Sequence, residues 1–104
     1  MMMAHNVFFT LKDKSEANLQ KMVSACKTYL SVHPGIVFFA CGTLQQELDR
    51  PVNDRDFDIA LHIVFDSKAN HDAYQDAPLH DTFIAENRDN WAKVRVFDSD
   101  VQSA

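Results

Sequence analysis

The segment Phe57-Asp58-Ile59-Ala60-Leu61-His62-Ile63-Val64-Phe65 decides how this chain reads. Phe57, Ile59, Leu61, Ile63 and Phe65 alternate with Asp58, Ala60, His62 and Val64. Successive side chains of an extended strand point to opposite faces, so the first set shares one face and the second set the other. The first face is large and apolar throughout. The second still carries Ala60 and Val64 beside His62. Both faces of such a strand ask for cover.

Upstream, Ile36 to Cys41 is a continuous apolar run between Gly35 and Gly42. Its length and composition predict a strand covered on both faces. Gln45 to Asp56 is polar and charged, with Pro51 and Asn53, and reads as a long solvated loop. Its Asp54-Arg55-Asp56 invites ion pairs within the chain or across a dimer, which contribute little net stability.

Further out, His5 to Leu11 places His5, Val7, Phe9 and Leu11 on one strand face, with Asn6, Phe8 and Thr10 on the other. Asp13 with Glu16 has capping-box spacing, and Ser15 is a second candidate cap. Leu19, Met22, Val23, Cys26, Tyr29 and Leu30 recur at helical spacing, and His33-Pro34-Gly35 stops that helix. Asp66 or Ser67 caps a second helix to about Gln75. Pro78 interrupts it, and a further helical piece from about Leu79 carries Phe83 and Ile84 inward. Trp91 to Phe97 reads as a fourth strand with Val94 and Val96 on one face.

The resulting order, β-α-β-β-α-β, is the ferredoxin-like pattern: an α+β domain with an antiparallel four-stranded sheet and its helices on one face. Phe8, Phe38, Ala40, Ala60 and Val64 then fall on the face without helices. An apolar patch of that size calls for a partner surface. A second copy packed about a two-fold axis supplies it, so the expected partner is the chain itself, as a homodimeric barrel.

Composition narrows the function. The 104 residues make one domain, 1–104, with a core over about residues 5–98. At 46% hydrophobic the chain folds, and its net charge of −5 argues against nucleic acid and anionic membrane surfaces as partners. No run has the length of a membrane helix, and the opening Met1-Met2-Met3-Ala4-His5 lacks the features of a signal peptide. The triple Met reads as a start-site feature. Cys26 and Cys41 are the only cysteines, with no CxxC pair. They predict reduced thiols, a cytoplasmic location and no zinc site.

Several stretches resemble the stress-responsive α/β-barrel (Dabb) family. His5-Asn6-Val7-Phe8-Phe9-Thr10-Leu11-Lys12 looks like the opening strand of these domains. Tyr74, then Ala77-Pro78-Leu79-His80 and Phe83, is similar to their second-helix segment, and Trp91 to Asp98 fits their closing strand. The resemblance implies a dimeric barrel with a cavity between sheet and helices in each subunit. Members include stress-induced proteins and a plant polyketide cyclase that works without a cofactor. The cyclase's tyrosine and histidine acid-base pair matches Tyr74 and His80. Its second pocket histidine on the third strand is Ile59 here, the first histidine of its His-Pro-x-His is Ala77, and a first-helix tyrosine is replaced by Cys26. Only part of that pocket is reproduced.

Two function classes follow. One is a stress-linked barrel holding a hydrophobic small molecule against His5, Val7, Phe9, Phe39, Ile59, Leu61 and Trp91. The other is a cofactor-free enzyme of the polyketide cyclase or monooxygenase type, with Tyr74 and His80 as catalytic pair. A bland alternative stands beside each residue. Tyr74 caps a core equally well, His80 can bond a loop carbonyl, His5 can anchor a strand end, and His62 fits an interface. No Gly-rich phosphate loop or nucleophile elbow is present, so no cofactor is expected. The five histidines show no HxH or HxxxH spacing, and no metal site is expected.

Overall fold

In the computed structural model, which describes residues 1–104, the chain forms a four-stranded antiparallel sheet with three helices, in the order β-α-β-β-α-α-β. The elements are β1 (Met2–Leu11), α1 (Glu16–Leu30), β2 (Ile36–Thr43), β3 (Ile59–Phe65), α2 (Lys68–Asp76), α3 (Pro78–Asn87), a 3-10 turn (Arg88–Asn90) and β4 (Trp91–Val101). The strands lie in the order β2-β3-β1-β4, so β1 and β3 are central. This is the ferredoxin-like arrangement.

Register fixes the faces. Val7 lies opposite Leu61 on β3 and Val96 on β4, and Phe9 lies opposite Ile59 and Val94. These residues face the helices. Ile59, Ile63 and Phe65 are completely enclosed there, with Cys26 and Leu30 of α1 and Phe83 of α3. Burial of these side chains is the main stabilising term, at about 1.5–3 kcal/mol for each large one.

Local chemistry sets the helix ends. The Ser15 hydroxyl accepts from the Asn18 N–H at 3.3 Å and caps α1, while Asp13 accepts from the Ser15 N–H at 3.0 Å. Ser67 caps α2 in the same way through the Asn70 N–H at 3.2 Å. Pro78 opens α3. A residue before proline is driven out of the helical region, and Ala77 is extended at φ −70°, ψ 143°. The helical region therefore splits into α2 and α3 at Ala77.

Five expectations need correction. Strand β1 starts at Met2, and Met3 is buried opposite Phe65 and Asp100, so the methionine run is structural. Strand β4 continues past Phe97 to Val101, because the same early residues of β1 give it hydrogen-bonding partners. Strand β3 starts at Ile59, not Phe57: the Asp58 N–H donates to the Phe9 carbonyl at 2.8 Å, while its carboxylate accepts from the Leu11 N–H at 2.8 Å. That bond satisfies a donor beside the irregularity at Thr10/Leu11.

The fourth correction concerns β2. It is an edge strand and is not covered on both faces within one chain. Its pairing shifts between Ile36 and Phe38, leaving Val37 as an extra residue, and Val37 and Phe38 are more than half exposed.

The loop after β2 is also less free than a solvated connection. Asp54 pairs with Arg95 at 2.8 Å and Asp56 with Lys93, both on β4, which draws the loop across the helix-free face. Phe57 packs edge-on against Phe8 there, with ring centroids 4.9 Å apart. His62 shares that face and meets Asn6 Oδ1 at 2.8 Å through Nδ1.

Candidate functional site

Tyr74 lies in the last turn of α2 and is 2% exposed. Its ring sits among four histidines. His80 stands 4.9 Å away between ring centroids, His33 5.0 Å, His5 5.8 Å and His71 6.4 Å. The split at Ala77 is what makes the Tyr74–His80 contact possible. Without it, residues six apart on one continuous helix would point away from each other.

Tyr74, His80 and His5 line one end of a cavity of about 140 Å³ between the helices and the β1/β4 side of the sheet, and His33 and His71 lie outside its wall. Ten of its thirteen lining residues are hydrophobic, so the polar groups there are few and stand out: His5, Gln75 and His80. Val7, Phe9, Leu61 and Trp91 line it as expected residues, joined by Val94 and Val96 of β4. Trp91 reaches this wall because β4 carries an extra residue at Ala92, opposite the Thr10/Leu11 step, which puts Trp91 on the same face as Val94.

Phe39 and Ile59 do not line the cavity. Phe39 is on edge strand β2, beyond β3 from the cavity, where it packs against the main core. Ile59 is fully enclosed in that core.

Electrostatics assign different states to the polar groups. Burial pushes the Tyr74 hydroxyl well above the ordinary phenol range, so it stays protonated and acts as a donor. Burial also holds His80 below the ordinary 6.5, with His5, His33 and His71 acting in the same direction and Asp81 opposing. His5 is likewise lowered by burial, against the opposing hydrogen bond from Asp98. Both rings are neutral near pH 7. His80 Nδ1 and Trp91 Nε1 are buried without a hydrogen-bond partner in the chain. Unpaired buried polar atoms cost about 1–3 kcal/mol each, which a ligand bearing a matching group relieves.

The surroundings of His5 hold a second arrangement. His5 and Asp98 are opposite each other in the β1–β4 register, and His5 Nδ1 lies 2.6 Å from Asp98 Oδ1. His71 of α2 sits over the pair, with its ring centroid 4.9 Å from that of His5. A ligand atom from each of the three lies within 4.8 Å of the others. No local spacing signals this grouping, because its members come from β1, α2 and β4.

The helix-free face carries a wider depression of about 410 Å³ around Phe8, His62, Arg95 and Phe97. It is larger than the inner cavity, and it lies on the surface that the sequence assigns to a second copy.

Together these features define a ferredoxin-like α+β barrel domain with a histidine-ringed tyrosine at one end of an otherwise apolar cavity. The chain belongs to the stress responsive A/B barrel domain family, which matches it over residues 3–101.

No curated protein matches the sequence significantly. Among solved structures, a Dabb family protein with a ferredoxin-like fold from Mesorhizobium loti is 23% identical, with TM-score 0.79 over 98% of each chain. A dimeric ferredoxin-like protein of unknown function from Thermobifida fusca is 20% identical, with TM-score 0.78 over 97% of this chain and 92% of its own. The hydroxynitrile lyase of Passiflora edulis is 21% identical, with TM-score 0.77 over 99% of this chain and 95% of its own. At such identities the likeness is one of fold. No helix is long and apolar enough to cross a membrane.

Proposed function

We propose that this chain is a homodimeric barrel protein that binds a small, mainly apolar molecule in the cavity beneath α2 and α3. The observation that carries this reading is an apolar cavity lined by two half-buried side chains, His80 and Trp91, each with a buried nitrogen that has no hydrogen-bond partner. At about 140 Å³ it suits one aromatic ring or a short chain, since dry cavities of about 150 Å³ take up benzene. The ligand therefore carries at least one oxygen or nitrogen on a compact apolar body.

The dimer rests on the helix-free face, where Phe38 and Phe97 are each about half exposed beside Phe8 and Val64. A dimeric neighbour of the same fold supports the same reading. The acidic charge supports neither nucleic acid nor anionic membrane as partner, and the free thiols Cys26 and Cys41 support a cytoplasmic location.

A titration that follows thermal stability against a panel of single-ring aromatic aldehydes, phenols and short ketones tests the cavity. Binding to the folded state raises Tm with ligand concentration. Flat profiles for wild type across the panel contradict the reading.

One observation favours a second reading, cofactor-free acid-base catalysis. The neutral His80 is a proton acceptor and the protonated Tyr74 a donor, and the two are adjacent. On a small carbonyl compound, His80 takes a proton from carbon or hydroxyl while Tyr74 stabilises the developing oxyanion. The fold neighbour that is a hydroxynitrile lyase lends support to small-molecule chemistry on this scaffold. Turnover of a panel compound that His80→Ala and Tyr74→Phe both abolish supports this reading, and turnover unchanged by either substitution removes it.

A further inference from the structure

We propose that His5, His71 and Asp98 form a binding site for one divalent transition-metal ion, of the zinc, cobalt or nickel class, between α2 and the outer part of β4. Two imidazoles and one carboxylate are the donor set these ions prefer, and they leave positions open for water.

The geometry is the first support. Ligands about 2.0–2.2 Å from a tetrahedral ion stand roughly 3.3–3.5 Å apart. The three donor atoms lie within 4.8 Å of one another, so small rotamer movements bring them to that spacing. His5 and Asp98 are held on neighbouring strands by register, and His71 is held above them on a helix. Rigid elements thus supply all three.

The second support is an unpaired atom. His71 Nδ1 meets Asp72 Oδ1 at 3.0 Å. Asp72 is itself fixed by Lys68 at 2.6 Å. A carboxylate on one imidazole nitrogen fixes the tautomer with its proton there and leaves the other nitrogen as a lone pair, the arrangement typical of metal-bound histidine. That other nitrogen, Nε2, is buried and has no hydrogen-bond partner. A plain His5–Asp98 hydrogen bond accounts for two of the three residues but not for this orphan acceptor.

Access is the third. A shallow depression lined by Met3, Lys68, His71, Asp98, Ser99 and Asp100 opens to solvent, and the Asp98 side chain is 41% exposed. Asp100 adds negative charge at the mouth, while the nearby Lys68 ammonium is engaged by Asp72. The proton shared between His5 Nδ1 and Asp98 Oδ1 leaves to solvent when the ion enters, so affinity rises with pH. His5 also belongs to the inner cavity wall, so an occupied site borders that cavity.

The experiment uses the full chain stripped of metal by chelator and titrated with Co²⁺ alone, read by visible absorption and by calorimetry. Expected are one ion per chain, d–d bands of nitrogen and oxygen ligation, and release of about one proton on binding. His71→Ala and Asp98→Asn should each weaken binding at least tenfold, and Asp72→Asn, acting through His71, by about tenfold. His80→Ala should leave Co²⁺ binding unchanged even where it removes binding of the cavity ligand. That result separates this site from the function proposed above. Absence of stoichiometric binding overturns the proposal. So does wild-type affinity in a folded His71→Ala or Asp98→Asn variant, or a thiolate charge-transfer band tracing the ion to Cys41. Should His71→Ala fail to fold, the near-isosteric Asp98→Asn on the half-exposed strand end decides.

Discussion

His80 stands edge-on to Tyr74, with ring centroids 4.9 Å apart and planes at 75°. Tyr74 lies in the last turn of α2 and His80 in the first turn of α3, and the extended Ala77 between them turns both toward the same cavity. In this contact a donor that stays protonated meets an acceptor that stays neutral.

The burial of His80 makes stability depend on pH in a defined window. Burial favours the neutral His80 ring, so the folded chain takes up this proton at lower pH than the unfolded chain, whose histidine titrates near 6.5. Above about 6.5 neither state is protonated there and the contribution is constant. Below it the unfolded chain binds more protons, so stability falls as pH drops toward the folded value. His5 acts in the same direction. Asp54, Asp56 and Asp72 are lowered by Arg95, Lys93 and Lys68, so their loss belongs to the range below 3.8. Tm should decline as pH falls below about 6.5, and His80→Gln should shallow that decline. Parallel curves for variant and wild type would count against the assignment.

Removal of the Tyr74 ring and removal of its hydroxyl should differ. The ring packs against Phe65 at 5.1 Å between centroids and fills the space between α2 and the sheet. Tyr74→Ala should cost about 3–5 kcal/mol in denaturant unfolding. Tyr74→Phe keeps the ring and should change stability by less than about 1.5 kcal/mol. Ligand affinity should nonetheless fall at least about fivefold, as one hydrogen bond of about 1 kcal/mol is lost. Full affinity in Tyr74→Phe places the hydroxyl outside recognition.

The helix-free face can be tested separately from the cavity. Phe97 lies opposite Asn6 and Phe38 opposite Val64, both on that face. An aspartate at either position puts a charge into an apolar contact on both copies. Phe97→Asp and Phe38→Asp should each weaken the dimer by roughly tenfold or more in sedimentation equilibrium, with secondary structure unchanged. A wild type that sediments as a monomer at micromolar concentration defeats the dimer outright.

Gly35 is the one residue of the chain with a positive φ. Its φ is +85°, and a Cβ there would meet Asn70 Cβ at 2.5 Å. Asn70 cannot swing aside freely, because its Nδ2 donates to Asp66 Oδ1 at 2.7 Å. The Gly35 carbonyl also accepts from the Asp66 N–H at 2.8 Å, tying the α1–β2 turn to the start of α2. Gly35→Ala combines left-handed strain with a clash and should cost about 1–3 kcal/mol, read as a lower urea midpoint.

The sequence alone determined the order of elements and the faces of β1 and β3, because side-chain parity along a strand is a local property. His5, Val7, Phe9 and Leu61 were legible on the helix side, and Phe8, Phe38 and Val64 on the other, without knowledge of any neighbour. The break at Pro78 was legible for the same reason, since proline acts on its own backbone and on the residue before it.

Tertiary structure decided the rest. Met2 and Met3 look like nothing in particular until Val101 and Asp100 pair with them, and β4 ends in a polar run, Asp98-Ser99-Asp100, that only this pairing orders. The sheet order places Phe39 beyond β3, away from the cavity, and the extra residue at Ala92 brings Trp91 in. His33 converges on Tyr74, and His5 and Asp98 on His71, across separations that no spacing rule spans. Distances between remote side chains depend on strand register and helix docking, and these are settled by the burial of the whole sheet at once.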